Sequence, residues 1–97
     1  MTTLRIEHSI TDFDTWYGAF GRFEEHRKEG GVLQERITQP VDDPHYVFIE
    51  LDFASVDGAQ KFQKFLETQI WSNPANSPAL EGTPRTRIAI TAPDGSD

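Results

Sequence analysis

The strongest constraint in this chain is a change of period near its start. Leu4, Ile6, His8 and Ile10 alternate with Arg5, Glu7 and Ser9, the pattern of a strand with one buried face. Immediately afterwards, between Phe13 and Glu29, the large residues fall at Phe13, Trp16, Tyr17, Phe20 and Phe23, a single apolar stripe at helical spacing. A strand with one apolar face, followed at once by a helix with one apolar stripe, must bury the two against each other. Thr11 or Asp12 is placed to cap the helix, because either side-chain oxygen can accept from a free first-turn amide, and Asp14 suits the positive helix end. His26, Arg27 and Lys28 suit the negative end, and Gly30-Gly31 stop the helix.

The alternation then returns. Val32 to Thr38 is a weaker strand whose Gln34, Glu35 and Arg36 suit an edge position. Gln39 to Pro44 is turn chemistry, and the third strand runs from Tyr46 to Phe53, with Val47, Ile49, Leu51 and Phe53 on one side and Phe48, Glu50 and Asp52 on the other. Ser55 caps a second helix whose stripe is Val56, Ala59, Phe62, Leu66 and Ile70, with Phe65 beside it. Asn73 to Gly82, with two prolines and little apolar content, reads as a loop; Arg85 to Thr91 alternates again, with Ile88 and Ile90 inward. The order is βαββαβ, an α+β ferredoxin-like plan: a four-stranded antiparallel sheet, first and third strands central, both helices on one face. The helices are expected near residues 13–29 and 56–70. Residues 1–91 form a single domain in this reading, and 92–97 a polar C-terminal tail.

Composition narrows the function classes. Sixteen acidic against nine basic residues give a formal charge of -7, and with no basic stripe to offset that field, nucleic-acid binding is not expected. The absence of cysteine removes disulfides, thiolate catalysis and zinc ribbons together. The opening MTTLRIEH has no signal-peptide core, and no stretch is long and apolar enough for a membrane span, so a cytoplasmic protein without membrane partners is expected. The hydrophobic share of 36% makes a modest core in which two tryptophans and seven phenylalanines carry much of the burial. An oligomer that covers additional surface is expected on that ground.

The sheet face away from the helices would present Arg5, Glu7, Arg36, Phe48, Glu50 and Arg87, among others. Such a face can stay wet, with opposite charges paired across strands, or it can pack against a partner sheet with Phe48 near the centre.

One stretch carries a resemblance. His8-Ser9-Ile10-Thr11-Asp12-Phe13-Asp14-Thr15-Trp16, with Phe20 one turn on and Arg27 before Gly30-Gly31, resembles small proteins of the dimeric α+β barrel superfamily, the antibiotic-biosynthesis-monooxygenase-like group in particular. Asp42-Asp43-Pro44 ahead of the third strand, and Phe53-Ala54-Ser55 with Ala59 and Phe62 after it, fit the same pattern. The resemblance implies a homodimer whose sheets pack face to face, with a pocket in each subunit between helices and sheet. It also implies, though one fold hosts many functions, either a small-molecule enzyme like the cofactor-independent monooxygenases and cyclases, acting on an aromatic or polyketide-like substrate, or a non-catalytic dimeric module that binds a small aromatic or apolar ligand. A dimeric scaffold whose pocket is filled by its own rings is the third option. No cofactor is called for. Ser72 to Pro78 departs from the pattern, being too proline-rich for a regular helix over the pocket.

The residues that bear on chemistry are few. His8 shares the inward parity of Ile6 and Ile10, and with a near-neutral intrinsic pKa it is the candidate catalytic base; the competing role is to brace the strand-to-helix joint. Asp12 and Asp14 are most simply cap residues. Trp16, Phe20, Phe62, Phe65 and Trp71 are the candidate substrate-binding rings, although an aromatic stripe at helical spacing is far more often core. The three histidines, at 8, 26 and 45, lie on different elements without metal-ligand spacing, so no metal site is expected.

Overall fold

A computed structural model describes residues 1–91. The strands β1 (Thr2–Ile10), β2 (Gln34–Thr38), β3 (Tyr46–Phe53) and β4 (Leu80–Ile90) form one antiparallel sheet in the order β2-β3-β1-β4. The two strands with the cleanest alternation, β1 and β3, are the central pair, and they register Leu4 against Leu51, Ile6 against Ile49 and His8 against Val47. All six of these side chains are nearly lost to solvent. Helices α1 (Phe13–Gly21), α2 (Glu24–Glu29) and α3 (Val56–Phe65) bring Trp16, Ala59 and Phe62 into the same core. None of the helices among the described residues is long and apolar enough to cross a membrane. The expected tail at 92–97 lies outside the described residues.

The first helix is divided where the sequence suggested one helix through residue 29. Arg22 and Phe23 make tight bonds to the carbonyls of Ala19 and Phe20, both at 3.2 Å, and the chain restarts as α2. Two causes combine. Gly18 and Gly21 weaken α1, and the Phe20 carbonyl is taken by the Arg27 guanidinium, whose Nη1 donates to it at 2.6 Å. Asp12 is the cap at the other end: its Oδ2 accepts from the Thr15 amide at 2.9 Å and from the Thr15 hydroxyl at 2.8 Å. Those bonds hold the Asp12 carboxyl below its usual range.

The end of α2 needs both of its glycines, for different reasons. Gly31 stands at φ +90, and the amides of Gly31 and Val32 return to the carbonyls of Lys28 and Arg27, the left-handed helix stop that glycine allows. Gly30 has ordinary helical dihedrals, but a β-carbon there would lie 2.6 Å from Phe62 Cδ1. It is glycine because α3 passes so close.

Ser55 caps α3 through the Gly58 amide at 3.1 Å. Beyond Phe65 the helix widens into a π-helical turn, Leu66–Ile70, closed by the Trp71 amide on the Leu66 carbonyl at 2.8 Å. Val56, expected in the stripe, is 40% exposed. It belongs to the first turn, ahead of the part that packs.

β4 departs most from expectation. The strand begins at Leu80, inside the stretch that reads as a loop. Glu7 pairs with Arg85 but Ser9 pairs with Glu81, so Gly82, Thr83 and Pro84 stand opposite His8 alone. Gly82 at φ +70 and the missing amide of Pro84 interrupt the ladder and hide the alternation. Ile90, expected to point inward, is 63% exposed, at the end of an edge strand opposite Thr2.

The sheet face opposite the helices is laid out as the register requires. Arg36 Nε donates to Glu50 at 3.0 Å, its Nη1 reaches Asp52 at 3.3 Å, and Arg5 lies 3.4 Å from the other Glu50 oxygen. Asp52, although on the open face, is buried beneath Arg36 and the Thr3 hydroxyl, which donates to it at 2.7 Å. The Thr3 bond first, then Arg36, holds its carboxyl below the usual range.

Candidate functional site

His8 is carried inward by the alternation of β1 and is 4% exposed. Its Nδ1 lies 3.0 Å from the Ser9 carbonyl oxygen. A carbonyl only accepts, so Nδ1 carries the proton and the neutral ring keeps its lone pair on Nε2. Burial pushes the His8 pKa below the ordinary 6.5, with the Ser9 carbonyl acting weakly the other way, so the ring is neutral at pH 7. Among the described residues Nε2 has no protein partner, and no fully buried side-chain nitrogen or oxygen lacks one; Nε2 therefore reaches open space.

His8 borders a cavity of about 70 Å³ between the sheet and the helical layer, open on one side. His8 and Ile49 of the sheet, Trp16 and Phe20 of α1, and Trp71 and Ser77 from beyond α3 border it. Trp16 stands edge-on to the His8 ring at 6.2 Å and stacks on Phe20 at 5.1 Å. The cavity is open on one side, so a ligand larger than this volume extends past its mouth.

The candidate rings divide between two places. Trp16, Phe20 and Trp71 border the chamber with His8. Phe62 and Phe65 do not. Phe62 packs on Phe53 at 5.7 Å, and Phe65 stacks with His26 at 5.6 Å, along a separate surface groove between the end of α2 and α3. The shared stripe establishes only that these residues turn away from solvent. Tyr46, a possible donor to a ligand, is on the open face, where its hydroxyl donates to Glu7 at 3.1 Å.

Arg27 is the site residue that composition and helix-end reasoning miss. It is 6% exposed, and it borders the chamber. Its Nε donates to Glu35 at 2.6 Å, and its guanidinium carbon lies 3.7 Å above the Phe20 ring centroid. The signal was present, since 16, 20, 23 and 27 continue one helical stripe, but a charge at the last place reads as a helix-end cation. Asn76 and Ser77, also at the chamber wall, come from the irregular stretch, whose position is fixed by the Thr11 amide bonding to the Ala79 carbonyl at 2.9 Å. Among the described residues no three His, Cys, Asp or Glu side chains are grouped to hold a metal ion.

No family model and no curated protein matches the chain. Solved structures do. An antibiotic biosynthesis monooxygenase superposes with a TM-score of 0.68 at 10% identity, over 96% of this chain and 100% of its own. A dimeric ferredoxin-like protein from an uncultured marine organism gives 0.61 at 10% identity, over 94% of each chain. A second one from the same kind of source gives 0.60 at 11%, over 94% of this chain and 96% of its own. The chain shares their ferredoxin-like fold. Within this fold the chamber occupies the space between helices and sheet, roofed by the segment that joins the π-helical turn to β4.

Proposed function

We propose that the chamber is a small-molecule site and that the chain is an enzyme resembling the cofactor-independent monooxygenases, acting on an aromatic or polyketide-like substrate. One observation carries the proposal: a neutral histidine, its Nδ1–H held by the Ser9 carbonyl and its Nε2 without a protein partner among the described residues, borders a cavity walled by Trp16, Phe20 and Trp71. Such a nitrogen can take a proton from an enolisable substrate, and the surrounding rings keep out water that would compete for it. The resulting carbanion would then react with dioxygen itself.

A non-catalytic dimeric binding module is the second reading. Apart from His8, the chamber offers no group that titrates near neutrality, so its walls supply no second acid or base for a full proton circuit. Oxygen consumption with a panel of enolisable phenolic ketones, in the presence of a chelator, separates the two. Turnover that is lost in His8→Gln while tryptophan quenching by the same compounds survives supports the enzyme. Quenching without turnover in the unmodified protein supports the module, and full activity in His8→Gln removes the histidine from the mechanism.

In both readings the protein acts as a homodimer joined through the open sheet face. Support comes from the ordered row Arg5, Glu50, Arg36 around half-buried Phe48, and from the two marine neighbours being dimeric ferredoxin-like proteins.

A further inference from the structure

Resting on the small-molecule reading, we infer that Trp71 sets how long a ligand the site accepts, by standing between the chamber and a second subsite for an uncharged, hydroxyl-bearing ring. The first observation is a shared boundary. Beside the chamber lies a surface recess, bordered by Glu67 of the π-helical turn, by Ser72 after it, and by Gly82, Thr83, Pro84 and Thr86 of β4. Trp71 and Leu80 border this recess and the chamber, and no other residue borders both. The two spaces therefore meet at one indole and one isobutyl group.

The second is how the chain brings Trp71 there. In an α-helix each residue turns about 100°, so a residue five places on stands about 140° round from the first. Here the Trp71 amide bonds to the Leu66 carbonyl at 2.8 Å, and the wider turn carries Trp71 back towards the Leu66 side. Leu66 packs against the core, so the π-helical turn holds Trp71 half-buried over the sheet instead of releasing it to solvent. Leu80 meets it from β4, on the helix-facing side of the strand opposite Ile10.

The third is the chemistry of the recess. Glu67 is the one charged residue on its border, and a carboxylate disfavours a second anion beside it. Thr83 and Thr86 bring hydroxyls; the Thr86 oxygen accepts from the Gln63 amide at 3.0 Å and keeps its own proton to donate. An uncharged ring with a hydroxyl matches a space bordered by an indole and by such groups.

Phenol and p-phenylphenol are titrated into the unmodified protein and into Trp71→Ala, with backbone amides followed by ¹⁵N-edited NMR. The amides of Ala19 and Phe20 report on the chamber, and those of Gly82, Thr83 and Thr86 on the recess. In the unmodified protein phenol is expected to shift the chamber amides saturably, and neither probe to move the recess amides. In Trp71→Ala, p-phenylphenol is expected to shift both sets, and its affinity relative to phenol to rise about tenfold, as burial of a further ring gives. If Trp71→Ala does not fold, Leu80→Ala opens the same boundary from the strand and carries the same comparison. Recess amides that move with p-phenylphenol in the unmodified protein overturn the inference, and so does a folded variant in which they stay still and the affinity ratio is unchanged; both results leave the small-molecule reading standing. Chamber amides silent to both probes in the unmodified protein overturn both.

Discussion

Gly30 and Gly18 both sit in helical backbone, and the structure requires the same substitution to have opposite effects at the two positions. Replacing a helical glycine by alanine restricts the unfolded chain and favours the helix, by about 0.5 to 1 kcal/mol. At Gly18 nothing lies within 4 Å of the added β-carbon, so Gly18→Ala should realise that gain. At Gly30 the β-carbon would meet Phe62 Cδ1 at 2.6 Å, Cε1 at 3.0 Å and the His26 carbonyl oxygen at 3.1 Å. Phe62 is 4% exposed and packs against Phe53, so yielding to the new methyl costs it packing, and the His26 carbonyl is backbone. Forcing an extra methyl into such a core costs about 1 to 3 kcal/mol, which exceeds the conformational gain. Gly30→Ala should therefore be destabilised by up to about 2.5 kcal/mol net, a fall in melting temperature of about 4 to 8 °C per kcal/mol for a domain of this size. Urea unfolding of the unmodified protein and the two variants measures the difference. Adding Phe62→Leu to both the unmodified protein and Gly30→Ala should narrow the gap between them, by removing the struck ring edge. Equal stabilisation at both glycines would mean that α2 and α3 are not packed as described.

Acid should destabilise the protein through His8 before the carboxylates titrate. Its folded pKa is depressed below 6.5, so its contribution is full above pH 6.5 and is lost as pH falls through the lower folded value; urea midpoints between pH 7 and pH 5 should fall, and His8→Gln should flatten that slope. The lowered carboxyls of Asp12 and Asp52 lose their contributions in a separate window below about pH 4. Phe48→Glu should convert a dimer to a monomer in sedimentation at micromolar concentration, because it would bury an unpaired carboxylate between two sheets; a variant that stays dimeric places the interface elsewhere.

The architecture was legible because β1 and β3 have one buried face each, and burial on one side writes itself into a two-residue period. Ser55 could be read as a cap from its position alone, and Asp12 was one of two candidates. What stayed hidden depended on contacts between distant residues. The break at Arg22 and Phe23 needs the Arg27 head on the Phe20 carbonyl, which no local propensity encodes. The first half of β4 is a strand because Ser9 and Ile10 pair with it, although Gly82 and Pro84 argue for a loop. His8, Trp16, Phe20 and Trp71 border one space while Phe62 and Phe65 border another, and the sequence could not separate the two groups, since a stripe gives direction without naming the neighbour.

The three residues that face His8 across β4 have a consequence for how this chain tolerates changes of length. The pairing jumps from Glu7–Arg85 to Ser9–Glu81, so the surplus is two residues, an even number. Even-numbered positions stay on the helix side along the whole strand, as Leu80, Thr86 and Ile88 do opposite Ile10, Ile6 and Leu4. Removing one residue from 82–84 would leave two opposite His8, an ordinary bulge that keeps Arg85 paired with Glu7 on the outer face. Removing two would straighten the strand and leave both faces intact. The stretch opposite His8 can therefore lose one residue or two and leave Arg85, Arg87 and Ile88 on the faces they now occupy, so length changes there stay local to one end of the sheet.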